Sequence, residues 1–193
     1  MKNILLTGSS GFIGSNLLNE LSKKYKIYCI VRSKNKKLKK RNVVDIYFKN
    51  YINLNKKLSK INFFSVIHCA THYRKVHSKK DVDKMIESNI KLGNLILENN
   101  KILNCEKFIN LTTVWENFNG IKNNPLNLYS AYKLAFSNII KFYSKRLNKV
   151  KFYNLYLSET FGIRDKRKKL FNTLKENYKK RKISKLISKN IKI

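Results

Sequence analysis

Thr7-Gly8-Ser9-Ser10-Gly11-Phe12-Ile13-Gly14, residues 7–14, decide the fold. The stretch follows a short apolar run, Asn3-Ile4-Leu5-Leu6, which reads as a buried strand. It leads into an amphipathic segment, 12–23, with Ile13, Leu17, Leu18 and Leu21 on one helical face. Glycines spaced GxxGxxG between a strand and a helix suit a phosphate-cradling turn. Gly8 permits the tight turn, Gly11 lets backbone approach a pyrophosphate, and Gly14 allows close packing of helix on strand. Phosphates then lie at the helix N-terminus, where free N–H groups and the dipole favour anions. The stretch therefore predicts a dinucleotide site opening a βαβ series; the competing reading is a decayed site that keeps only the turn.

Outward from the turn, short apolar runs alternate with longer amphipathic stretches. Residues 26–31 and 43–48 read as the second and third strands. A fourth strand is expected over 63–70, where Phe63, Phe64, Val66 and Ile67 are nearly continuous. Such runs suit parallel strands covered on both faces. The segment 80–99 reads as one long helix carrying Val82, Met85, Ile86, Ile90, Leu95 and Ile96. Residues 107–112 read as a fifth strand, 128–147 as a helix and 150–157 as a sixth strand. The fold class is α/β: a Rossmann-like, doubly wound parallel sheet with helices on both faces and right-handed crossovers. Two lysine-dense stretches, 34–41 and 164–185, interrupt the pattern. The second holds Leu170, Phe171, Leu174 and Tyr178 at helical spacing, as expected of a helix with a solvated basic face. The expected organisation is a Rossmann domain over 1–163 and a basic helical tail over 164–193.

The 193 residues are ample for a buried core, and 42% hydrophobic with 12% aromatic residues is a globular composition. The net charge of +32 admits two readings. One gives the chain an anionic partner, nucleic acid or an acidic membrane face. The other is compositional drift, and it is favoured because lysines occur in every segment while arginine is scarce. Cys29, Cys69 and Cys105 are odd in number and form no CxxC, which argues for free thiols in a reducing compartment. The apolar start ends at Thr7-Gly8, too soon for a signal peptide, and no stretch approaches a membrane span. A cytoplasmic location is expected.

The end of the second strand is where an acidic residue would bind a ribose 2′-hydroxyl. Arg32 stands there instead, and a guanidinium suits a 2′-phosphate, pointing to NADP with NAD as the alternative. Lys34 and Lys36 could add to it, although any loop of so basic a chain carries cations. A second constellation is Tyr129-Ser130-Ala131-Tyr132-Lys133, with Tyr129 and Lys133 four apart on one helix face. A nearby ammonium stabilises phenolate, so Lys133 is expected to bring the ordinary phenol pKa of ~10 towards the working range of a general base.

With the turn, these features resemble an extended short-chain dehydrogenase/reductase. The resemblance also rests on the strand end Val66-Ile67-His68-Cys69-Ala70, on Asn89 within a helix, and on Thr112-Thr113 after the fifth strand. Within that superfamily the chain is similar to the NAD-dependent epimerase/dehydratase group acting on nucleotide sugars. Phe108-Ile109-Asn110-Leu111-Thr112-Thr113 and Asn124-Pro125-Leu126-Asn127-Leu128-Tyr129 lie nearest its CDP-abequose/paratose synthase branch. The resemblance implies a catalytic hydroxyl at Thr113, a base at Tyr129 and a ribose-binding, pKa-lowering lysine at Lys133. It places cofactor contacts at Gly8, Gly11, Phe12, Ile13, Gly14, Arg32, Cys69, Ala70 and Thr71. Asn89 is expected beneath the cofactor, ordering Lys133. Family dehydratases carry an Asp-Glu pair directly after the catalytic threonine, whereas here Val114-Trp115 follows and Glu116 is displaced. Dehydration is thereby disfavoured; ketoreduction and 4-epimerisation, which need hydride transfer and a Tyr/Thr proton relay, are not. His68, Cys69, His72 and His77 carry metal-ligating side chains, but strand-end packing and cofactor lining account for them better, so no metal is expected.

The resemblance fades after residue 174. Family members run well beyond this length, and their later portion supplies most of the nucleotide-sugar pocket. The resemblance thus implies a C-terminally truncated form: a gene fragment, a frameshift near Asn177, or a split protein completed by a second chain. An exposed edge there predicts poor solubility or a partner, either a homodimer mate or that second chain. The expected substrate is a CDP- or dTDP-linked sugar. Two other function classes stay open: a non-catalytic NAD(P)-binding module or subunit, and a basic RNA- or membrane-associated protein on a Rossmann scaffold. The intact Thr113, Tyr129 and Lys133 favour the enzyme.

Overall fold

The structure is a computed structural model that describes residues 1–32, 41–99, 101–162, 165, 167 and 169–184. Lys34, Lys36, Arg164, the expected domain boundary at 163–164 and the end of the chain from Lys185 lie outside the described residues. Met1–Ser158 forms one compact unit, and a second begins at Glu159.

The first unit is built on six parallel strands: β1 (Asn3–Thr7), β2 (Lys26–Val31), β3 (Val43–Tyr47), β4 (Ser65–His68), β5 (Lys107–Thr113) and β6 (Lys151–Leu157). Their order across the sheet is β3-β2-β1-β4-β5-β6. The change of direction falls between β1 and β4, where Thr7 pairs with His68. Ligands of open α/β sheets bind at such a switch point, beyond the carboxyl ends of the strands. The expected doubly wound parallel sheet is therefore observed. Because β1 is covered on both sides, neighbouring residues serve different cores. Ile4 and Leu6 join Leu18 of α1 (Phe12–Leu21), whereas Leu5 joins Leu54, Ile96, Phe108 and Phe136 on the opposite face.

Three elements differ from the expectations. The fourth strand is only four residues long, because the Ala70 N–H is taken by Thr7 Oγ1 at 3.0 Å and the chain turns away to meet the glycine loop. A short helix, α2 (Tyr51–Leu58), was not anticipated; only its Leu54 and Leu58 are buried, too few to set up a periodic signal. The long helix is α3 (Lys79–Ile86), a π-helical turn over Glu87–Lys91, and α4 (Leu92–Leu97). The wider turn carries the buried face through Met85, Asn89, Gly93 and Leu97 in steps of four, and it leaves Ile86 39% exposed rather than on the core side.

The last helix of the first unit, α5 (Leu128–Ser144), has a reciprocal cap: Ser130 N–H donates to Asn127 Oδ1 and Asn127 N–H to Ser130 Oγ, each at 3.0 Å. In the second unit, α6 (Leu170–Lys179) is the helix expected from the apolar spacing of its sequence. No helix among the described residues is long and apolar enough to cross a membrane.

Candidate active site

Gly8 has φ +69°, and a Cβ there would lie 2.7 Å from Ala70 N and 2.8 Å from the Cys69 carbonyl. A side chain would thus strain the backbone and strike the end of β4 as well. At Gly14 a Cβ would come within 2.1 Å of Gly8 O, so the first turn of α1 rests directly on the loop. Gly11 closes the loop by donating its N–H to Gly8 O at 3.0 Å. It is also the N-cap of α1 and makes no side-chain cap, and no acidic residue sits in the helix's first turn. The N–H groups of Phe12 and Ile13 therefore belong to a helix terminus whose first turn carries no acidic residue, which fits a diphosphate.

Cys69, Ala70 and Thr71 leave β4 alongside this loop. The Thr71 hydroxyl donates to Asn89 Oδ1 at 2.7 Å and is also hydrogen-bonded to the Tyr129 phenol. Asn89 is fully buried; its Oδ1 also accepts from the His72 N–H at 3.0 Å, and its Nδ2 donates to the His72 carbonyl at 3.1 Å. The Asn89 amide thus fastens the 71–72 segment, whose Thr71 adjoins Tyr129.

The cap at Asn127 sets Tyr129 in the first turn of α5 and Lys133 one turn on. Lys133 is 2% exposed, and burial pulls its ammonium pKa down to about 8 against the opposing pull of Glu116 and Cys69. Burial pushes the Cys69 thiol up to about 12 and, beneath the sheet end, draws the His68 imidazole down to about 3. The Tyr129 phenol is likewise raised by burial, with Tyr73 and Glu116 adding to the rise and only the Thr71 hydrogen bond opposing it. Lys133 acts electrostatically on Glu116, Cys69 and His68.

Thr113 ends β5 with its side chain nearly buried, and its Oγ1 accepts the Trp115 N–H at 3.3 Å, capping a one-turn 3₁₀ helix. Arg32 follows the last residue of β2, is exposed, and lies close enough to Tyr51 to influence its phenol. His72 Nε2 faces Asp81 at 3.4 Å. Among the described residues no group of three or more His, Cys, Asp or Glu side chains is placed to hold a metal.

Three neighbours of the site were not anticipated. Tyr73 packs edge-on against Tyr129, with ring centroids 5.0 Å apart, and also against Trp115 at 6.0 Å. Glu116 is fully buried, a surprising place for a carboxylate in a loop rich in polar residues. Only the long-range partners of these residues reveal them; their local sequence carries no such signal.

Residues 4–191 match the family model described as the NAD dependent epimerase/dehydratase family. The chain is 31% identical over 175 residues to the CDP-abequose synthase of Yersinia pseudotuberculosis, a match covering 89% of this chain and 60% of that protein. Over 182 residues it is 29% identical to the dTDP-D-glucose 4,6-dehydratase of Dictyostelium discoideum, covering 75% and 41% respectively. It thus spans less than two thirds of the length of these curated relatives. Among solved structures, it superposes on the UDP-glucuronic acid 4-epimerase of Bacillus cereus in complex with UDP-glucuronic acid and NAD. The TM-score is 0.74 at 23% identity, over 93% of this chain and 64% of that one. The UDP-glucose 4-epimerase of Thermotoga maritima gives 0.71 at 21%, over 83% and 56%. At these identities the structural likeness concerns the fold.

Proposed function

The chain belongs to the NAD dependent epimerase/dehydratase family, and from that premise we propose that it carries the cofactor half and the catalytic group of a nucleotide-sugar oxidoreductase. The observation that carries this reading is what meets at the carboxyl ends of β1 and β4: the glycine cradle, the Cys69-Ala70-Thr71 segment and, through Thr71, Tyr129 of the helix that also bears Lys133.

Gly8, Gly11, Gly14 and the N–H groups of Phe12 and Ile13 hold the diphosphate, Cys69, Ala70 and Thr71 line the nicotinamide side, and Lys133 holds the ribose. A bound nicotinamide cofactor supplies or accepts hydride at the sugar C4. Tyr129 holds the proton that moves to or from the C4 oxygen, Thr113 donates a hydrogen bond to that oxygen, and the Lys133 ammonium stabilises the phenolate. Asn89 steadies Tyr129 through Thr71. Arg32, exposed at the end of β2, favours NADP over NAD by pairing with a 2′-phosphate.

Ketoreduction or 4-epimerisation is preferred to dehydration because Glu116, the first acid after Thr113, is turned into the core. The relatives named above support a CDP- or dTDP-linked sugar. Residues 1–163 would then be the cofactor domain and 164–193 the start of the substrate region. The rest of the sugar pocket would come from further chain or from a partner subunit. The three free cysteines support a cytoplasmic setting.

The test is NADPH oxidation with a CDP- or dTDP-4-keto sugar. Turnover is expected, and Tyr129→Phe should lower kcat roughly 100-fold or more while leaving cofactor affinity unchanged. Equal turnover by both proteins would rule out Tyr129 as the proton donor, and cofactor binding with no turnover would favour the binding-module alternative.

A further inference from the structure

Three residues beyond Thr113, Glu116 points into the core. Its Oε1 accepts hydrogen bonds from Thr112 Oγ1 and, at 3.0 Å, from Ser137 Oγ; both partners are buried too. Its Oε2 is shut off from solvent and accepts no hydrogen bond from the described residues. A buried carboxylate satisfied on one oxygen only is costly, and such a group is retained where a buried cation answers it.

Among the described residues Lys133 is the one buried Lys or Arg. Ser137 follows Lys133 by one turn of α5, so the bond from Ser137 fixes Glu116 against the side of the helix that carries the lysine. Burial raises the Glu116 carboxyl and lowers the Lys133 ammonium, and against that the two charges support each other: Glu116 favours the ammonium and Lys133 the carboxylate. His68 and Cys69, at the end of β4, face Lys133 and are neutral at neutral pH; Tyr129 of α5 and Tyr156 of β6 feel the Glu116 charge. Lys122 and Lys141, both exposed, line the same cleft as Glu116 and Ser137.

We propose that Glu116 is a positioning residue, a buried counter-charge held by Thr112 and Ser137 that keeps the Lys133 ammonium charged and in place beneath Tyr129. The inference rests on the roles given above to Tyr129 and Lys133. A lysine helps a neighbouring phenolate only while it carries its proton, and burial at this position works against that proton. Glu116 opposes the discharge. Because Thr112 precedes Thr113, the same carboxylate also anchors the strand end that presents the catalytic hydroxyl. Glu116 thus links the lysine and the threonine of one site from below and need not touch substrate.

The test is a pH titration of the full chain carrying lysine labelled with ¹³C at Cε, in which the Lys133 resonance is identified by its loss in Lys133→Arg. The wild-type midpoint is expected near 8. In Glu116→Gln it should fall by about one unit or more. The glutamine oxygen can accept from the same two hydroxyls, and an unchanged melting profile will confirm that the fold is kept. If Glu116→Gln does not fold, Ser137→Ala tests the same link: it frees the carboxylate from α5 and should lower the midpoint by a smaller amount. An unchanged midpoint in the folded variant overturns the proposal, even if turnover is lost. The titration needs neither cofactor nor sugar, so it stands or falls separately from the proposed hydride transfer.

Discussion

The His68 ring lies between Phe108 and Phe136, with centroids 6.4 and 5.2 Å away, and its Nδ1 shares a 2.9 Å hydrogen bond with Thr7 Oγ1. Burial, and secondarily the Lys133 charge, lower its pKa from 6.5 to about 3. The unfolded chain therefore binds a proton between those values that the folded chain refuses. Stability from this residue is complete above pH 6.5 and is lost as the pH falls towards 3. Replacing His68 with Gln should flatten the acid limb of urea stability, removing on the order of 3 kcal/mol of the loss between pH 6.5 and about 4. Superimposable acid limbs would contradict the assignment. At this scale the sequence is informative wherever the constraint is local. Gly8 and Gly14 are dictated by their own turn, and Tyr129 and Lys133 by a helical spacing of four. Glu116 is not legible, since its burial is created by Thr112 on a strand and Ser137 on a distant helix. Asn89 is legible as a residue, but the π-helical turn that buries it has no distinct sequence signature.

Among the elements, the contact of α4 with α5 is the tightest test of the packing. A Cβ at Gly93 would stand 2.2 Å from Phe136 Cζ and within 2.9 Å of two other atoms of that ring. Phe136 is itself fully buried against His68 and the larger core cluster, so it has little room to move. Gly93→Ala, a change that stabilises an exposed helix, should here destabilise by about 1–3 kcal/mol, measured as a lower Tm. A raised Tm would mean that the two helices do not approach this closely. Strand positions are legible from the apolar runs, with β2 matching its expected limits of 26 and 31. Their ends are less so. The fourth strand stops at His68 because Thr7 and Gly8 draw Cys69 and Ala70 out of the ladder, a tertiary effect with no trace in the run itself.

For the whole molecule, the parallel sheet and its switch point between β1 and β4 place the glycine cradle beside the Tyr129 group. The net charge of +32 complicates any binding experiment, since a chain this basic attracts dinucleotides without a specific site. A control must keep the charge and remove only the cradle. Gly14→Ala does this, because the added methyl would sit 2.1 Å from Gly8 O and push α1 off the loop. The decisive measurement is therefore the thermal shift produced by NADPH and by NADH in the wild type and in Gly14→Ala, at physiological salt. Wild-type protein should be protected, by about 2.7 kcal/mol at a hundred times Kd, and more strongly by NADPH than by NADH at equal concentration. Gly14→Ala should lose that protection. No protection of the wild type by either cofactor, or equal protection of both proteins, would contradict the dinucleotide site itself.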